Sequence, residues 1–229
     1  MLSGIDISHH NQYMKDPNAI AGVEFVIMKA SEGKGFKDGA VKKYVDILTS
    51  NKKQPLIGFY HFARPEMNPD YFDEVKNFIS AVIPYLKLHP VLALDVEARA
   101  LEVPFLDTWC LEWCKCVYNI LGIKPMIYCS AAETKRFKKC ADFGCGLWVA
   151  KWSDKISKRD IKPWEFWAIW QNSNNKQLSG VRVDTDVFNG TKDQFLKYAE
   201  VSEDGEERAQ NDRATDNAKD KCSIQEGKD

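Results

Sequence analysis

Two carboxylates near one strand end are the residues of this chain whose types and spacing could do chemistry. Asp95 and Glu97 close the segment 92–97, Leu-Ala-Leu-Asp-Val-Glu. Because side chains alternate along a strand, both carboxylates leave the same face, with Cα atoms roughly 6.5 to 7 Å apart. Like charges that close raise the pKa of one group. A neutral acid beside a carboxylate is the pair that cleaves a glycosidic bond.

A solvated strand end is the alternative explanation for the same pair, because acidic residues are mostly exposed and strand ends often reach water. The Asp-x-Glu pattern does not decide between the two explanations. The choice depends on what the other predicted strands bring to the same place.

Alternating strand and helix patterns predict the fold that positions the pair. Strands are predicted at 2–8, 23–30, 56–62, 92–97, 124–129, 146–150, 166–171 and 181–188. Helices are predicted at 17–22, at 38–53, from Asn68-Pro69, from Pro104 to Leu121, at 131–140 and at 191–198. Repeated βα units imply parallel strands, and eight strands can close a barrel filled by side chains. The predicted fold is an α/β, modified TIM-like barrel: five βα units followed by three β-strands, eight strands in total.

Acidic and aromatic residues collect at one rim of this predicted barrel. Active sites of such barrels lie at the C-terminal ends of the strands. The predicted strand ends bring these residues to that rim: Asp6, Glu32, Tyr60, His61, Asp95, Glu97, Tyr128, Gln171, Asp184 and Asp186. Carboxylates packed together cost free energy, which natural chains tolerate chiefly at functional sites. The rim is therefore the predicted active site.

Five of the seven tryptophans lie between residues 148 and 170. Aromatic faces above a cleft can pack against sugar rings, since each buries a large apolar area. Alternation along the strands predicts Trp148 and Trp167 in the core. Trp152 and Trp170 are the surface candidates.

Composition limits the class of protein. The chain has 229 residues, 44% hydrophobic and 28% charged, and a formal net charge of -1. It is long enough for one substantial core, and the charge gives no reason to expect nucleic acid as a partner. No apolar run approaches a membrane span, so no membrane interaction is expected. The protein is expected to act as a monomer.

The last thirty residues differ from the rest. Nine acidic and five basic residues give residues 201–229 a charge of -4, which leaves +3 for the remainder. We therefore predict a barrel domain at 1–199 and a charged, disordered tail at 200–229. The N-terminus lacks signal-peptide features, which predicts synthesis in the cytoplasm. The seven cysteines cannot all pair within one chain, show no zinc-site spacing and are expected to be reduced.

Eight ordered motifs carry a resemblance to a known family. They are 4–8 GIDIS, 25–33 FVIMKASEG, 58–62 GFYHF, 94–97 LDVE, 127–128 IY, 147–150 LWVA, 170–171 WQ and 183–188 VDTDVF. Their order resembles that of the glycoside hydrolase family 25 lysozymes, muramidases found as phage endolysins and bacterial wall hydrolases. The similarity covers about residues 2 to 198. The family's fold, a modified barrel of five βα units and three strands, agrees with the predicted one.

The resemblance implies roles for matching positions. Glu97 is implied as general acid and later base, with Asp6, Asp95 and Asp184 completing the acidic cluster. In that family, Asp95 or its neighbours stabilise the transition state or position the substrate's own 2-acetamido oxygen. Tyr60, Tyr128, Trp152 and Gln171 resemble sugar contacts. Family members often have Asn where this chain has Asp186, which leaves open whether Asp184 or Asp186 faces the sugar; the motif position favours Asp184.

The resemblance also implies bacterial peptidoglycan as partner and substrate, cleavage of the β-1,4 bond between N-acetylmuramic acid and N-acetylglucosamine, and no cofactor or metal. Action on the cell wall after release through a separate phage membrane pore, a holin, would follow. From the residues, Glu97 is expected to be the acid most easily kept protonated. The reason is that its longer side chain can withdraw from hydrogen bonds that hold the Asp residues ionised.

Three other functions are compatible with parts of the same residue set. A catalytically silent, wall- or glycan-binding barrel would use the same tryptophans, but it would not need the acidic cluster. A substrate-assisted chitinase also ends its signature in Asp-x-Glu, but it needs earlier Asp residues where this chain has Val91 and Ala93. A metal-dependent hydrolase would use His9, His10, His61 and Asp6, although adjacent His9 and His10 point to opposite faces if extended.

Overall fold

Eight strands form a closed barrel in the computed structural model, which describes residues 1–201. These residues contain nine strands, of which all except β3 belong to the barrel: β1 Leu2–Ile7, β2 Phe25–Glu32, β3 Phe36–Lys37, β4 Leu56–Phe62, β5 Val91–Asp95, β6 Met126–Ser130, β7 Leu147–Ala150, β8 Ile169–Leu178 and β9 Val181–Phe188. The barrel order is β1-β9-β8-β7-β6-β5-β4-β2, closed by parallel pairing of β2 with β1. Only β9 runs antiparallel to its barrel neighbours. The predicted fold is confirmed, with the two-residue β3 added beside β2.

Four helices connect parallel strands on the outside of the barrel, and a fifth follows the last strand. The connecting helices are α1 Val41–Ser50, α2 Tyr71–Val82, α3 Leu106–Leu121 and α4 Lys138–Asp142, and the last helix is α5 Lys192–Lys197. Short 3-10 helices lie at His9–Asn11, Pro17–Gly22, Ile83–Leu88, Ala98–Glu102 and Thr134–Phe137. The connection after β1 therefore contains only 3-10 turns, and the helix predicted at 131–140 is a 3-10 turn followed by the short α4.

Two helices begin later than the sequence predicts. For α2 the capping residue is Asp70, whose side chain accepts a hydrogen bond from the Phe72 amide at 2.9 Å, and not Asn68. For α3 the predicted start at Pro104 is wrong, because Phe105 has φ +59°, a left-handed conformation that a helix interior excludes. The end of α3 at Gly122, with φ +70°, is as predicted.

Alternation along the strands divides the buried residues into two cores. One face of each strand packs against the helices, as Ile5, Val26 and Leu92 do. The other face fills the barrel interior, where Phe25, Ile27, Val91, Met126 and Phe188 meet. The interior is apolar at the N-terminal ends of the parallel strands. Polar and charged side chains are therefore confined to the opposite mouth.

The C-terminal helix α5 closes the apolar end of the barrel. Phe195 is fully buried there, with ring centroids 5.3 Å from Phe25 and 5.1 Å from Phe188. Gly4 makes room for this packing, because a Cβ at position 4 would lie 2.4 Å from the Phe25 ring. A filled and plugged floor leaves only the other end of the barrel open to a ligand.

A buried polar network fixes the chain after β4. The His61 ring lies on the helix-facing side of the barrel, with Nδ1 2.8 Å from Ser31 Oγ and Nε2 2.8 Å from Glu74 Oε2. Both side chains of the His61–Glu74 pair are fully buried. Glu74 also accepts hydrogen bonds from the Arg64 amide and Asn68 Nδ2. The network therefore joins β2, β4 and α2 to the loop that begins after β4.

The cysteines do not all match the expectation of reduced thiols. Cys116 is disulfide-bonded, so the expectation is wrong at that position. The free, buried cysteines are 110, 114, 129, 140 and 145. Within residues 1–201, no helix is long and apolar enough to cross a membrane. The predicted tail at 200–229 lies almost wholly outside the described residues, and the division at residue 199 stays a prediction.

Candidate active site

An open cleft of about 500 Å³ lies at the mouth of the barrel, at the C-terminal ends of the parallel strands. Its lining residues are Asp6, Ser8, His10, Lys29, Tyr60, Phe62, Asp95, Glu97, Tyr128, Trp148, Trp152, Gln171, Asn174, Arg182 and Asp184. Of the nine residues given a role by the resemblance, all but Asp186 are in this set. Glu32 and His61 were predicted at the same rim, and this was wrong: His61 points outward between Ser31 and Glu74, and Glu32 pairs with Lys29 and Arg64 outside the cleft.

Three strands bring the four predicted catalytic carboxylates together. Asp6 and Asp184 lie directly opposite each other across the antiparallel pair β1–β9. Asp95 is the last residue of β5. Glu97 follows two residues later in an extended conformation, immediately before the 3-10 helix. The prediction that Asp95 and Glu97 face the same cavity agrees with this placement, although the strand itself ends at Asp95.

Backbone strain lies next to Glu97. Ala98 has φ +52°, a left-handed conformation that costs an ordinary L-residue roughly 1–2 kcal/mol. Such strained residues persist where surrounding structure holds them, and they concentrate at functional sites. Here the turn at Ala98 ends the extended chain and leaves the Glu97 side chain in the cleft.

Gln171 joins the aromatic and acidic sides of the cleft. Its Oε1 accepts hydrogen bonds from the Tyr128 hydroxyl and from Trp152 Nε1, both at 3.1 Å. Its Nε2 donates to Asp6 Oδ2 at 2.9 Å and to Asp184 Oδ2 at 3.4 Å. Donors and acceptors fit only one orientation of the amide. Gln171 therefore fixes two rings and two carboxylates relative to one another.

Asp186 lies one layer below the cleft. Because β9 runs into the barrel, Asp186 pairs with Gly4 while Asp184 pairs with Asp6, and two strand residues span roughly 6.5–7 Å. The Asp186 side chain is buried and its Oδ1 accepts a hydrogen bond from Trp148 Nε1 at 2.8 Å. Of the two candidates for facing a sugar, only Asp184 reaches the cleft.

Burial dominates the electrostatics of the cluster. Burial raises the pKa of Asp95 well above its ordinary value, and the neighbouring Glu97 and Asp6 add to this. Burial also raises the pKa of Asp6 to about 7, with the charge of Asp184 as the next cause. The pKa of Glu97 is raised by burial and by Asp184, while Lys29 opposes the rise.

The expectation that Glu97 is the carboxyl group most easily protonated is therefore wrong. It assumed that hydrogen bonds hold every Asp ionised. Instead, Asp95 Oδ1 and Asp186 Oδ2 are buried and receive no hydrogen bond from a donor in residues 1–201, and burial without donors favours the neutral acid. Asp95 and Asp186 have the strongly raised pKa values. Glu97 keeps a raised pKa in a less buried position.

A lysine in the cleft was missed by the sequence analysis. Lys29 is on the inner face of β2, buried, and its Nζ lies 2.5 Å from Glu32 Oε2 and 4.6 Å above the Phe62 ring. Its position two residues beyond the inward-facing Ile27 was the signal that could have found it. Arg182 was missed because β8 and β9 continue past the barrel rim as a hairpin.

The tryptophans are distributed differently from the prediction. Trp152 is 60% exposed at the cleft, as expected for a surface candidate. Trp170, the other surface candidate, is partly exposed but does not line the cleft: it alternates with the inward-facing Gln171, packs on Trp167 and donates to the Lys151 carbonyl. Trp148 is buried, as predicted, but one part of it lines the cleft.

The histidines of the metal-hydrolase alternative do not converge. His61 is buried on the outer face of the barrel against Glu74, and His9 Nδ1 lies 2.9 Å from Asp38 Oδ2. Only His10 and Asp6 of that set line the cleft. In the part of the chain that the structure describes, no group of three or more His, Cys, Asp or Glu side chains is arranged to hold a metal ion.

An α/β barrel with carboxylates, aromatic rings and an amide around one open cleft defines a carbohydrate-cleaving barrel enzyme. The chain belongs to the glycosyl hydrolases family 25, whose family model matches residues 5–181. It is therefore a glycoside hydrolase of the lysozyme class, which confirms the resemblance and the predicted enzyme class.

Individual relatives agree with the family. The chain is 26% identical over 217 residues to an N,O-diacetylmuramidase of Arthroderma benhamiae, covering 86% of each protein. It is 28% identical to a family 25 lysozyme from Aspergillus fumigatus, with a TM-score of 0.70 over 86% of this chain and 98% of that one. It is 25% identical to the CTP1L endolysin, with a TM-score of 0.68 over 87% of this chain and 69% of that one.

Proposed function

We propose that the protein is an N-acetylmuramidase that cleaves the β-1,4 bond between N-acetylmuramic acid and N-acetylglucosamine in bacterial peptidoglycan. The observation that carries this proposal is Glu97, a carboxyl group with a raised pKa that lines an open cleft beside three further acids. Family membership and the muramidase and endolysin relatives support the choice of substrate. The site of action is the bacterial cell wall.

Glu97 is the general acid in this proposal. A raised pKa keeps the proton on a carboxyl group to a higher pH than usual, and the group can pass that proton to the oxygen of the leaving sugar. The same carboxylate can then remove a proton from the attacking water. Glu97 suits both steps because it is only partly buried and therefore accessible from the cleft.

The three aspartates stabilise and position the reacting sugar. The Gln171 amide holds Asp184 and Asp6 on the wall of the barrel opposite Asp95. Negative charge on these two groups stabilises the positive charge that develops on the sugar ring. Asp95 lines the cleft and is 7% exposed, while its Oδ1 is buried. The carboxyl oxygen on the cleft side can accept a hydrogen bond from the N–H of the 2-acetamido group and position that group for attack on the anomeric carbon.

Tyr60, Tyr128, Trp152 and Gln171 contact sugar in this proposal. Trp152 presents the largest exposed aromatic face of the cleft and is anchored by its hydrogen bond to Gln171. Stacking on such a face holds the glycan before and during the reaction, so Trp152 acts mainly in binding.

Replacing Trp152 with alanine is expected to raise KM about three- to tenfold with kcat within about twofold, because an aromatic contact contributes roughly 0.5–1.5 kcal/mol. Steady-state kinetics on soluble glycan fragments would measure this. The Trp152→Phe variant keeps a ring and should lose less. A fall in kcat at unchanged KM would contradict a binding role.

Product analysis tests the proposed bond. Purified peptidoglycan is digested, the new reducing ends are reduced with borohydride, and the released fragments are identified by mass and by sugar analysis. Reduced muramic acid is the expected result. Reduced glucosamine would make the protein a glucosaminidase. Wall binding without release of fragments would indicate a silent binding barrel. A Glu97→Gln preparation made in parallel controls for contaminating hydrolases.

A further inference from the structure

The carboxyl group of Asp186 lies between two neighbours: one donates a hydrogen bond to it, and the other can only accept one. Trp148 Nε1 donates to Oδ1 at 2.8 Å, so this oxygen must accept. Oδ2 is buried and receives no N–H or O–H donor. The carboxyl group of Asp6 lies within hydrogen-bonding reach of Asp186, and ionised carboxylates only accept hydrogen bonds. A hydrogen bond between two carboxyl groups requires a proton on one of them.

Asp6 already has its own donor. Gln171 Nε2 donates to Asp6 Oδ2 at 2.9 Å, which favours the ionised form of Asp6. Asp186 is the deeper of the two, with a 1% exposed side chain and only the indole as donor. The proton of the pair therefore belongs on Asp186, and its hydrogen bond fixes the second side of the Asp6 carboxylate.

We propose that Asp186 is a neutral carboxylic acid in the working enzyme, accepting from Trp148 and donating to Asp6, and so positions the Asp6 carboxylate at the floor of the cleft. An amide would satisfy the same two neighbours, with its oxygen toward Trp148 and its NH₂ group toward Asp6. This inference rests on the proposed place of Asp6 in the catalytic cluster.

The charges around Asp186 favour the same assignment. Burial raises its pKa well above the ordinary value, and Asp6 is the next cause. The titratable groups that face it from the surrounding strands are Asp6, Asp184 and Tyr128, with Tyr60, Asp95 and Glu97 further across the barrel and Lys29 and Arg182 at the rim. The nearest are acids, so ionising Asp186 would add a second charge beside Asp6.

The test compares wild type with Asp186→Asn. A folded-state pKa above the unfolded value contributes stability below the unfolded pKa that is lost as pH rises through the folded pKa. Wild type is therefore expected to lose stability relative to Asp186→Asn as pH rises above about 4, the ordinary pKa of an aspartic acid, measured as the difference in Tm. A difference independent of pH, or one that grows in favour of wild type as pH rises, would overturn the proposal.

Infrared spectroscopy gives a direct signature of the proton. At neutral pH, wild type should show a carbonyl band of a buried protonated carboxylic acid that Asp186→Asn lacks. Asp95 is expected to contribute a similar band, so the Asp95→Asn variant serves as the reference that isolates the Asp186 component. An Asp186→Asn spectrum with no such loss would overturn the proposal. Neither readout needs activity, so a failure here is distinguishable from a failure of the muramidase assignment.

Activity adds the test of positioning. Asp186→Asn should keep turnover and both limbs of the pH profile, because amide and neutral acid offer the same hydrogen bonds. Asp186→Leu should lower kcat about tenfold or more, the scale of one lost hydrogen bond to a charged group, with KM little changed. Loss of turnover in Asp186→Asn with its fold intact would show that the carboxylate itself is required, and would overturn the proposal.

Discussion

Replacing Glu97 with glutamine is expected to lower turnover of peptidoglycan by at least about a hundredfold. General acid catalysis contributes typically 10²–10⁴-fold, and the amide keeps the size of the side chain but cannot donate the acid proton. The substitution should leave the fold unchanged, because the Glu97 side chain makes no hydrogen bond to another residue in the described part of the chain. Release of reducing ends from purified walls measures the effect.

The pH profile separates a lost acid from a lost contact. Because burial and Asp184 raise the pKa of Glu97, its proton is present at low pH and is lost as pH rises through that raised value. The fall in kcat/KM on the alkaline side should therefore depend on Glu97 and be absent from the residual activity of Glu97→Gln. Glu102→Gln, an exposed change on the adjacent 3-10 helix, is the matched control and should behave as wild type. Equal activity of the two variants would refute the assignment of Glu97.

Local patterns account for the parts of the fold and site that the sequence predicts well. The strand predicted at 181–188 matches β9 in full, and that at 56–62 matches β4, because alternation and turn residues are properties of neighbouring positions. The same alternation places Asp6, Tyr60 and Asp95 on the inner face of the barrel. With the resemblance, this was enough to bring eight of the predicted side chains into one cleft.

Contacts between distant segments determine the features of the fold and the site that local sequence patterns did not predict. The depth of Asp186 depends on the register of β9 against β1, which sets which acid meets Asp6 and which meets Gly4. The order of the carboxyl pKa values depends first on how deeply the barrel buries each group, and then on donors from other strands, Gln171 for Asp6 and Trp148 for Asp186. The left-handed backbone conformation of Phe105, which makes α3 begin at Leu106, cannot be predicted from the residue type.

Replacing Glu74 with alanine is expected to destabilise the fold by about 3–5 kcal/mol, because it leaves buried hydrogen-bond donors unpaired and opens a cavity. The carboxylate is fully buried and accepts from His61 Nε2 at 2.8 Å, Asn68 Nδ2 at 2.8 Å and the Arg64 amide at 3.0 Å. Burial lowers the pKa of His61, so its ring is neutral at pH 7 and gives Nε2–H to Glu74 while Nδ1 faces Ser31. Alanine leaves three donors without an acceptor and also leaves a cavity.

Urea unfolding monitored by tryptophan fluorescence would measure this loss. Glu112→Ala removes a carboxylate from a surface pair with Lys115 and should change stability by no more than about 0.5 kcal/mol. Glu74→Gln keeps one acceptor oxygen but turns an NH₂ group toward other donors, so its loss of stability should fall between those of the two alanine variants.

Ser31, His61 and Glu74 have the composition of a hydrolase triad. Ser31 and the His61–Glu74 pair are fully buried, so no substrate can reach them. A small stability change in Glu74→Ala would contradict the structural role and reopen the question of what this buried triad does.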